Sequence, residues 1–337
     1  MLMQFLRKIL FPFSILYDGV TTVRNLLFDK GFLKSKGYAL PIIAVGNLSV
    51  GGTGKSPMIE YLIRLLQNDY KIATLSRGYR RQSEGFILAS KTSTALDLGD
   101  EPMQFYSKFP NINIAVDANR QEGISKLITQ VSPDLILLDD AYQHRKVTAG
   151  FYVLLTKYTD LYTDDLLLPA GNLRESKRGA KRAHAIIVTK CPEILSDIEK
   201  DKILEKINPQ PHQKVYFTHI KYSNTVYNET EKIALNMLKT KNITLVTGIA
   251  NPTHLVTYLK NKDLNFEHLN FKDHHNFTVD EIISLSKKEF ILTTEKDYMR
   301  LKDELHNVYY LPIEAAFLND NVVFDKQIKS FIKTKRS

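Results

Sequence analysis

The stretch Ile42-Ile-Ala-Val-Gly-Asn-Leu-Ser-Val-Gly-Gly-Thr-Gly-Lys-Ser-Pro57 constrains this chain most. A β-branched run enters a glycine-rich turn and leaves it as a helix, the context in which a phosphate loop is credible. Gly51, Gly52 and Gly54 let backbone N–H groups close around phosphate oxygens with no Cβ in the way. With Thr53 between the glycines, Lys55 aimed at the β- and γ-phosphates and Ser56 offering a hydroxyl to Mg²⁺, residues 51–56 form the expected ATP site. The following helix adds its N-terminal dipole. One departure is visible: Ser49 stands where the motif has its first glycine.

Such a loop needs a second, metal-holding element. Leu135-Ile-Leu-Leu-Asp-Asp140 reads as a buried strand ending in paired carboxylates, Asp139 and Asp140. One acid orders Mg²⁺ or its water shell, and the other contacts the metal or positions substrate.

Around these motifs, short apolar runs alternate with helical patterns. Strands are expected over 42–45, 72–75, 86–89, 112–116, 135–138, 152–156 and 185–189, with helices over 58–66 and 120–129 among them. The alternation implies an open, mostly parallel sheet with helices on both faces. A second set follows, with strands over 243–247, 266–269, 290–293 and 308–311 and helices over 252–259 and 279–287. The predicted organisation is an amphipathic start (1–35), a phosphate-loop domain (36–213), a linker (214–235) containing a strand over 214–220, and a smaller C-terminal α/β domain (236–337).

Charge narrows the partners. The formal net charge is +9, and the basic excess is local. Residues 1–37 carry +4, residues 76–82 carry +3 and residues 174–182 carry +4, so the remainder is slightly acidic. That distribution argues against general coating of nucleic acid. The single cysteine, Cys191, can form no internal disulfide and no cysteine zinc cluster, which fits a reducing compartment such as a cytoplasm. At the N-terminus, Leu16, Val20, Val23 and Leu27 share one helical face that Phe13 extends. Asp18, Arg24 and Asp29 interrupt any run of the roughly 18–20 apolar residues that a membrane span requires. No small-residue cleavage site follows, which argues against a signal peptide. Two readings stay open: a helix packed on the core, or an interfacial helix on anionic lipid.

Residues suited to chemistry lie elsewhere. Asp100 sits at an expected helix start, where capping is the plain alternative. Asp273-His-His-Asn276 follows a strand of the second domain, and an Asp–His pair drawn from two walls of a cleft suits deprotonation of an alcohol. Leu168-Pro-Ala-Gly-Asn-Leu-Arg-Glu175 is a bent loop whose arginine can bind phosphate bidentately. Thr293-Thr-Glu-Lys-Asp297 can contact a base or ribose, although a helix cap explains Thr294 equally well.

Together the motifs resemble one family, the tetraacyldisaccharide 4′-kinases of lipid A biosynthesis. The likeness runs collinearly through residues 45–57, Leu75-Ser-Arg-Gly-Tyr79, Gly99-Asp-Glu101, Leu138-Asp-Asp-Ala-Tyr-Gln-His144, residues 168–175, Thr247-Gly-Ile-Ala-Asn-Pro252, Asp273-His-His275 and Thr294-Glu-Lys-Asp297. The resemblance implies transfer of the γ-phosphate of ATP to the 4′-hydroxyl of a tetraacylated disaccharide 1-phosphate, giving lipid IVA, at the cytoplasmic face of the bacterial inner membrane. It implies two α/β/α sandwich domains joined by a short β linker, with the site in the cleft between them. By motif match, Asp100 is the base and His274, rather than its neighbour His275, its partner. Lys55, Ser56, Asp139, Asp140 and Glu175 serve ATP and Mg²⁺. Ser76, Arg77, Arg120, Gln143, His144 and Arg174 line the lipid headgroup or the transferring phosphate. The implied partners are the acylated lipid and a membrane surface, with no nucleic acid and no obligate protein partner. Ala141, Ser176 and Arg80 depart from the family pattern beside the matched groups, not on them.

A competing reading is a membrane-associated regulatory ATPase of the partition or septum-placement kind. That group has an extra lysine early in the loop, where this chain has Val50, and it leaves the second domain unexplained. A nucleic-acid-binding NTPase is a weaker third reading, since no aromatic-basic RNA motif is evident.

Overall fold

The computed structural model describes residues 7, 9–79 and 81–336. The first six residues of the expected amphipathic start, Lys8 and the family departure at Arg80 lie outside the described residues. In chain order the strands are β1 (Ile42–Asn47), β2 (Ile72–Ser76), β3 (Ile87–Leu88), β4 (Asn113–Val116), β5 (Leu135–Asp139), β6 (Phe151–Lys157), β7 (Ala185–Thr189) and β8 (Lys214–Tyr222). They continue with β9 (Thr225–Tyr227), β10 (Lys232–Ala234), β11 (Ile243–Thr247), β12 (Phe266–Asn270), β13 (Phe290–Thr294), β14 (Val308–Leu311) and β15 (Ile313–Phe317).

Two sheets result. The first has the order β15-β8-β7-β6-β1-β5-β2-β4-β3 and the second β10-β9-β14-β13-β11-β12. Strands β8 to β4 of the first sheet are parallel throughout, while β15 and β3 close its edges antiparallel. β1, β2, β5 and β7 are buried at every position, as continuous apolar strands covered on both faces must be. Met58, Ile59, Leu62, Ile63 and Leu66 of the helix Lys55–Leu66 cover one face, and Ile124 and Leu127 of the helix Arg120–Gln130 cover the other. The parallel strands align their C-terminal ends along one edge, the place where open α/β sheets bind ligands. Asn47, Ser76, Asp139 and Thr189 all end strands on that edge.

The chain does not divide where the sequence pattern suggested. β8, expected within a linker over 214–235, is a strand of the first sheet, in register with β7. The tail also returns from the second domain: β15 pairs with β8, and Phe324, Ile328 and Ile332 of the helix Asn321–Arg336 join the core beneath β1. Sequence proximity assigned these segments to the linker and to the region 236–337. Their apolar faces are buried instead against strands of the first sheet.

The N-terminal helix, Phe11–Asp29, is also inverted relative to core packing. Leu16, Val20 and Val23 are 68%, 62% and 56% exposed, whereas Ser14 is buried. Apart from the buried Phe28, its inward face is polar and hydrogen-bonded. Ser14 Oγ donates to the Leu167 carbonyl at 3.0 Å, Tyr17 donates to the Arg174 carbonyl at 2.9 Å, and Asn25 donates to Glu175 at 3.0 Å. The core-packed reading of the apolar row therefore fails. Among the described residues no helix is long and apolar enough to cross a membrane.

Candidate active site

The glycine-rich loop leaves β1 and enters its helix through two left-handed glycines, Gly51 at φ +98° and Gly54 at φ +88°. Side chains other than glycine are strained there, so the motif's glycines follow from backbone geometry. Thr53 is buried, and its carbonyl accepts the Thr189 hydroxyl at 2.8 Å, tying the loop to the end of β7. On the other flank the loop is held by the segment 168–175: Val50 N–H donates to Asn172 and Arg174 N–H to Leu48. Lys55 Nζ lies 3.4 Å from Asn47 Oδ1 and 3.8 Å from Asp140 Oδ1. Ser56 occupies the first turn of the same helix, beside Lys55.

Asp139 and Asp140 end β5, next to β1, but their surroundings differ. Asp139 is buried and, among the described residues, receives only a long 3.4 Å bond from Ser76 and has no donor to Oδ1. Burial, reinforced by the Asp140 charge, pushes it up to about 6. Asp140 is also desolvated, yet Lys55 and the two-pronged Arg174 contact, at 3.2 and 2.9 Å, hold it below the usual carboxylate value. Arg120 is buried beneath the pair and donates to the Asp117 carbonyl at 2.5 Å and the Asp139 carbonyl at 3.4 Å. Burial lowers its pKa to about 10.

Glu175 does not join this pair. Arg182 binds both its oxygens, at 2.8 and 2.9 Å, while Gln143 and Asn25 donate to one oxygen each at 3.0 Å. No group of three or more His, Cys, Asp or Glu side chains placed to hold one ion occurs among the described residues. In this structure Glu175 ties the N-terminal helix to the loop after β5.

The second domain supplies the opposite wall. Asp100 begins the helix Asp100–Lys108, but its carboxylate is spent across the cleft and not on capping. His274 Nδ1 lies 3.1 Å from Oδ2, Arg300 Nε lies 3.2 Å from Oδ1, and Arg300 Nη2 also bonds Oδ2. Burial opposes ionisation, but these contacts prevail and hold Asp100 down to about 2. Lys296 Nζ sits 2.7 Å from His274 Nε2, and Arg300 Nη2 lies 2.9 Å from Nδ1, so the ring is held from both of its nitrogens. His275 points elsewhere, pairing with Glu281 at 2.8 Å and stacking on Phe271. Thr294 caps the helix Glu295–Leu301, and its partner Asp297 also accepts Gly248 N–H at 2.9 Å, so that stretch is occupied with fold geometry.

The two walls are also joined below the site. Lys108 lies 2.7 Å from Glu60 of the first domain and 2.5 Å from Glu295 of the second. Burial and the Glu60 charge push Glu295 up to about 7, against the pull of Lys108. This contact seats the helix that carries Lys296 and Arg300 against the one that starts at Asp100.

The remaining predicted residues cluster near the carboxylates. Gln143 donates to the Asn47 carbonyl at 2.8 Å, and His144 is pushed down to about 4 by burial and by Arg120. Arg77 is exposed and lines a groove of about 410 Å³ with Arg81, Ser83 and Glu84. Sequence reading gave no individual role to Asn47 and Lys296, although both lie inside quoted motifs, and it missed Arg300, which carries no motif of its own.

Known proteins resemble this chain over nearly its whole length. The profile of the family described as tetraacyldisaccharide-1-P 4′-kinase matches residues 6–333. A tetraacyldisaccharide 4′-kinase of Flavobacterium johnsoniae is 55% identical, covering 98% of each chain. One from Bacteroides thetaiotaomicron is 42% identical over 97% of this chain and 94% of its own. The crystal structure of LpxK from Aquifex aeolicus in complex with ATP superposes with a TM-score of 0.81 at 30% identity, covering 97% of this chain and 99% of that one. The chain belongs to the tetraacyldisaccharide-1-P 4′-kinase family.

Proposed function

We infer that the chain transfers the γ-phosphate of ATP to the 4′-hydroxyl of a tetraacylated glucosamine disaccharide 1-phosphate, yielding ADP and lipid IVA in lipid A biosynthesis. Family membership carries the reaction. The observation that supports the division of labour is the meeting of Asp100 and His274 across the cleft, at 3.1 Å. The 4′-oxygen attacks the γ-phosphorus, the bond to the β,γ-bridging oxygen breaks, and the hydroxyl proton passes to Asp100. His274 donates to Asp100 before transfer and keeps its oxygen aimed. A carboxylate held near 2 is a weak base. That suffices where the transition state is loose and the proton leaves late, because the main requirement is positioning. Lys55 and the loop N–H groups neutralise charge on the β- and γ-phosphates.

The donor set suits Mg²⁺: an all-oxygen site in which Asp139 Oδ1 is buried without a donor, Asp140 is adjacent and the Ser56 hydroxyl lies at the loop's end. Held by Ser56, Asp139 and Asp140, a divalent ion would supply positive charge to offset that of the phosphates. Ser76, Arg77, Arg120, Gln143, His144 and Arg174 are assigned to the acceptor's headgroup and the phosphate in transit. Arg174 now bound to Asp140 is the one whose partner changes when phosphate arrives.

The exposed row Leu16, Val20 and Val23, flanked by Arg24 and Lys30, is assigned to the cytoplasmic face of the inner membrane, where the lipid resides. Burying such side chains contributes about 1.5–3 kcal/mol each, and here their burial awaits an apolar phase outside the protein. The test is incubation with γ-labelled ATP and tetraacyl disaccharide 1-phosphate in mixed micelles. Label on the disaccharide supports the reading. Label released only as free phosphate favours the regulatory ATPase.

A further inference from the structure

Lys190 is the first residue beyond β7, two strands from β1 on the side away from Asp139. Three observations set it apart. It holds a left-handed backbone at φ +58°, an arrangement that costs a side-chain-bearing residue about 1 kcal/mol or more and persists where its position matters. Its Nζ lies 3.9 Å from where a Cβ on Gly52 would sit, so the ammonium rests against the middle of the phosphate loop. Among the described residues, no hydrogen bond or ion pair reaches that Nζ.

The surroundings sharpen the contrast. The preceding Thr189 fixes the loop through Thr53, so Lys190 is not there to hold the loop itself. Lys157, opposite Thr189 in register, adds a like charge and has its own partner in Asp160 at 2.8 Å. Burial and Lys157 together lower the Lys190 pKa. A half-buried ammonium with a cationic neighbour and no anion is unfavourable unless an anionic ligand completes it.

We propose that Lys190 is a nucleotide-binding residue, which contacts the part of the nucleotide that ATP and ADP share. The proposal rests on the kinase reading and extends it. Its location decides which part of the reaction it serves. Asp139, Asp140 and Asp100 lie toward β5, the side of phosphoryl transfer. Lys190 lies on the opposite flank and at Gly52, three residues before Lys55, behind the γ-phosphate position. It therefore reads the nucleotide, not the lipid acceptor.

The experiment uses Lys190→Met and Lys190→Arg in the full chain, with Kd measured calorimetrically for ADP and for a non-hydrolysable ATP analogue. In Lys190→Met both constants rise together, by roughly tenfold, the scale of one charge-assisted contact. The turnover number at saturating ATP and the KM for the lipid stay within about twofold. Lys190→Arg recovers most of the affinity. The Tm of the nucleotide-free protein does not fall, because the ammonium has no partner to lose. Unchanged nucleotide Kd values overturn the proposal, as does a loss confined to the ATP analogue, which would place Lys190 at the γ-phosphate. A lower nucleotide-free Tm, with affinity lost in proportion, makes the role structural and overturns it too. Lys55→Ala run beside them separates the claims: if it retains turnover, the loop reading itself fails, whereas an inert Lys190→Met alone removes only this inference.

Discussion

Asp139 and Asp100 are the same side chain at the ends of two elements facing one cleft, yet they are prepared in opposite ways. Asp139 is enclosed, has one oxygen with no donor, and is pushed up to about 6. Asp100 has both oxygens occupied by Arg300 and His274 and is held down to about 2. The first is short of positive charge and the second is saturated with it. The contrast supports the proposed division of work: a carboxylate left wanting a cation suits a metal and phosphate site, and one held rigidly by a fork and an imidazole suits aiming at a hydroxyl.

The largest effect is expected at the unsatisfied carboxylate. Asp139→Asn should lower turnover by roughly 10³, the scale of several kcal/mol supplied by a metal site, and chelation of divalent cations should bring the wild type to a similar level. A titration of activity against Mg²⁺ checks this. Saturable wild-type activity in Asp139→Asn at ordinary Mg²⁺ would remove the distinction between the two acids.

A smaller effect is expected from Arg300→Gln, about tenfold in kcat with the KM for ATP unchanged, because the fork orients Asp100 without touching substrate. The pH profile sharpens this prediction. A depressed carboxylate contributes stability above its unfolded value near 4 and loses it as pH falls through about 2. Wild-type activity should therefore show no Asp100 limb above about pH 4. Removing the guanidinium should raise the carboxyl's pKa, moving the acid limb upward, and Arg300→Lys should move it partly back. An unmoved limb would make Arg300 a mere tether between domains.

The smallest effect on chemistry is expected far from both acids. Val20→Asp with Val23→Asp should leave kcat on micellar substrate within about twofold while weakening sedimentation with anionic vesicles at least tenfold, since two apolar contacts of about 1.5–3 kcal/mol each are lost. Unchanged sedimentation would leave the outward apolar row without a membrane role.

Much of this was legible in the sequence. The β1 loop, the Asp139-Asp140 strand end and the alternation of β and α are local patterns, and local patterns survive folding because backbone sterics and burial impose them. What was not legible depends on segments distant in sequence. The return of β15 and the helix Asn321–Arg336 to the first sheet is decided by which apolar face remains uncovered, a quantity no window of sequence contains. Arg300 reaches Asp100 across a separation of 200 residues. Glu175 carried a motif that suggested a metal, and its contact with Arg182, seven residues on, was not legible in that motif. The N-terminal helix showed its apolar face plainly. Only its hydrogen-bonded inward side, through Ser14, Tyr17 and Asn25, decided that this face looks outward.

The central claim is that Asp100 takes the proton in phosphoryl transfer to the lipid's 4′-hydroxyl. It is tested most directly by Asp100→Asn in the labelled-ATP assay, with ATP binding measured on the same preparation. Loss of a positioned base predicts a fall in kcat of about 10²–10⁴, with the Kd for ATP within about twofold of wild type. A turnover close to wild type in that variant would contradict the account.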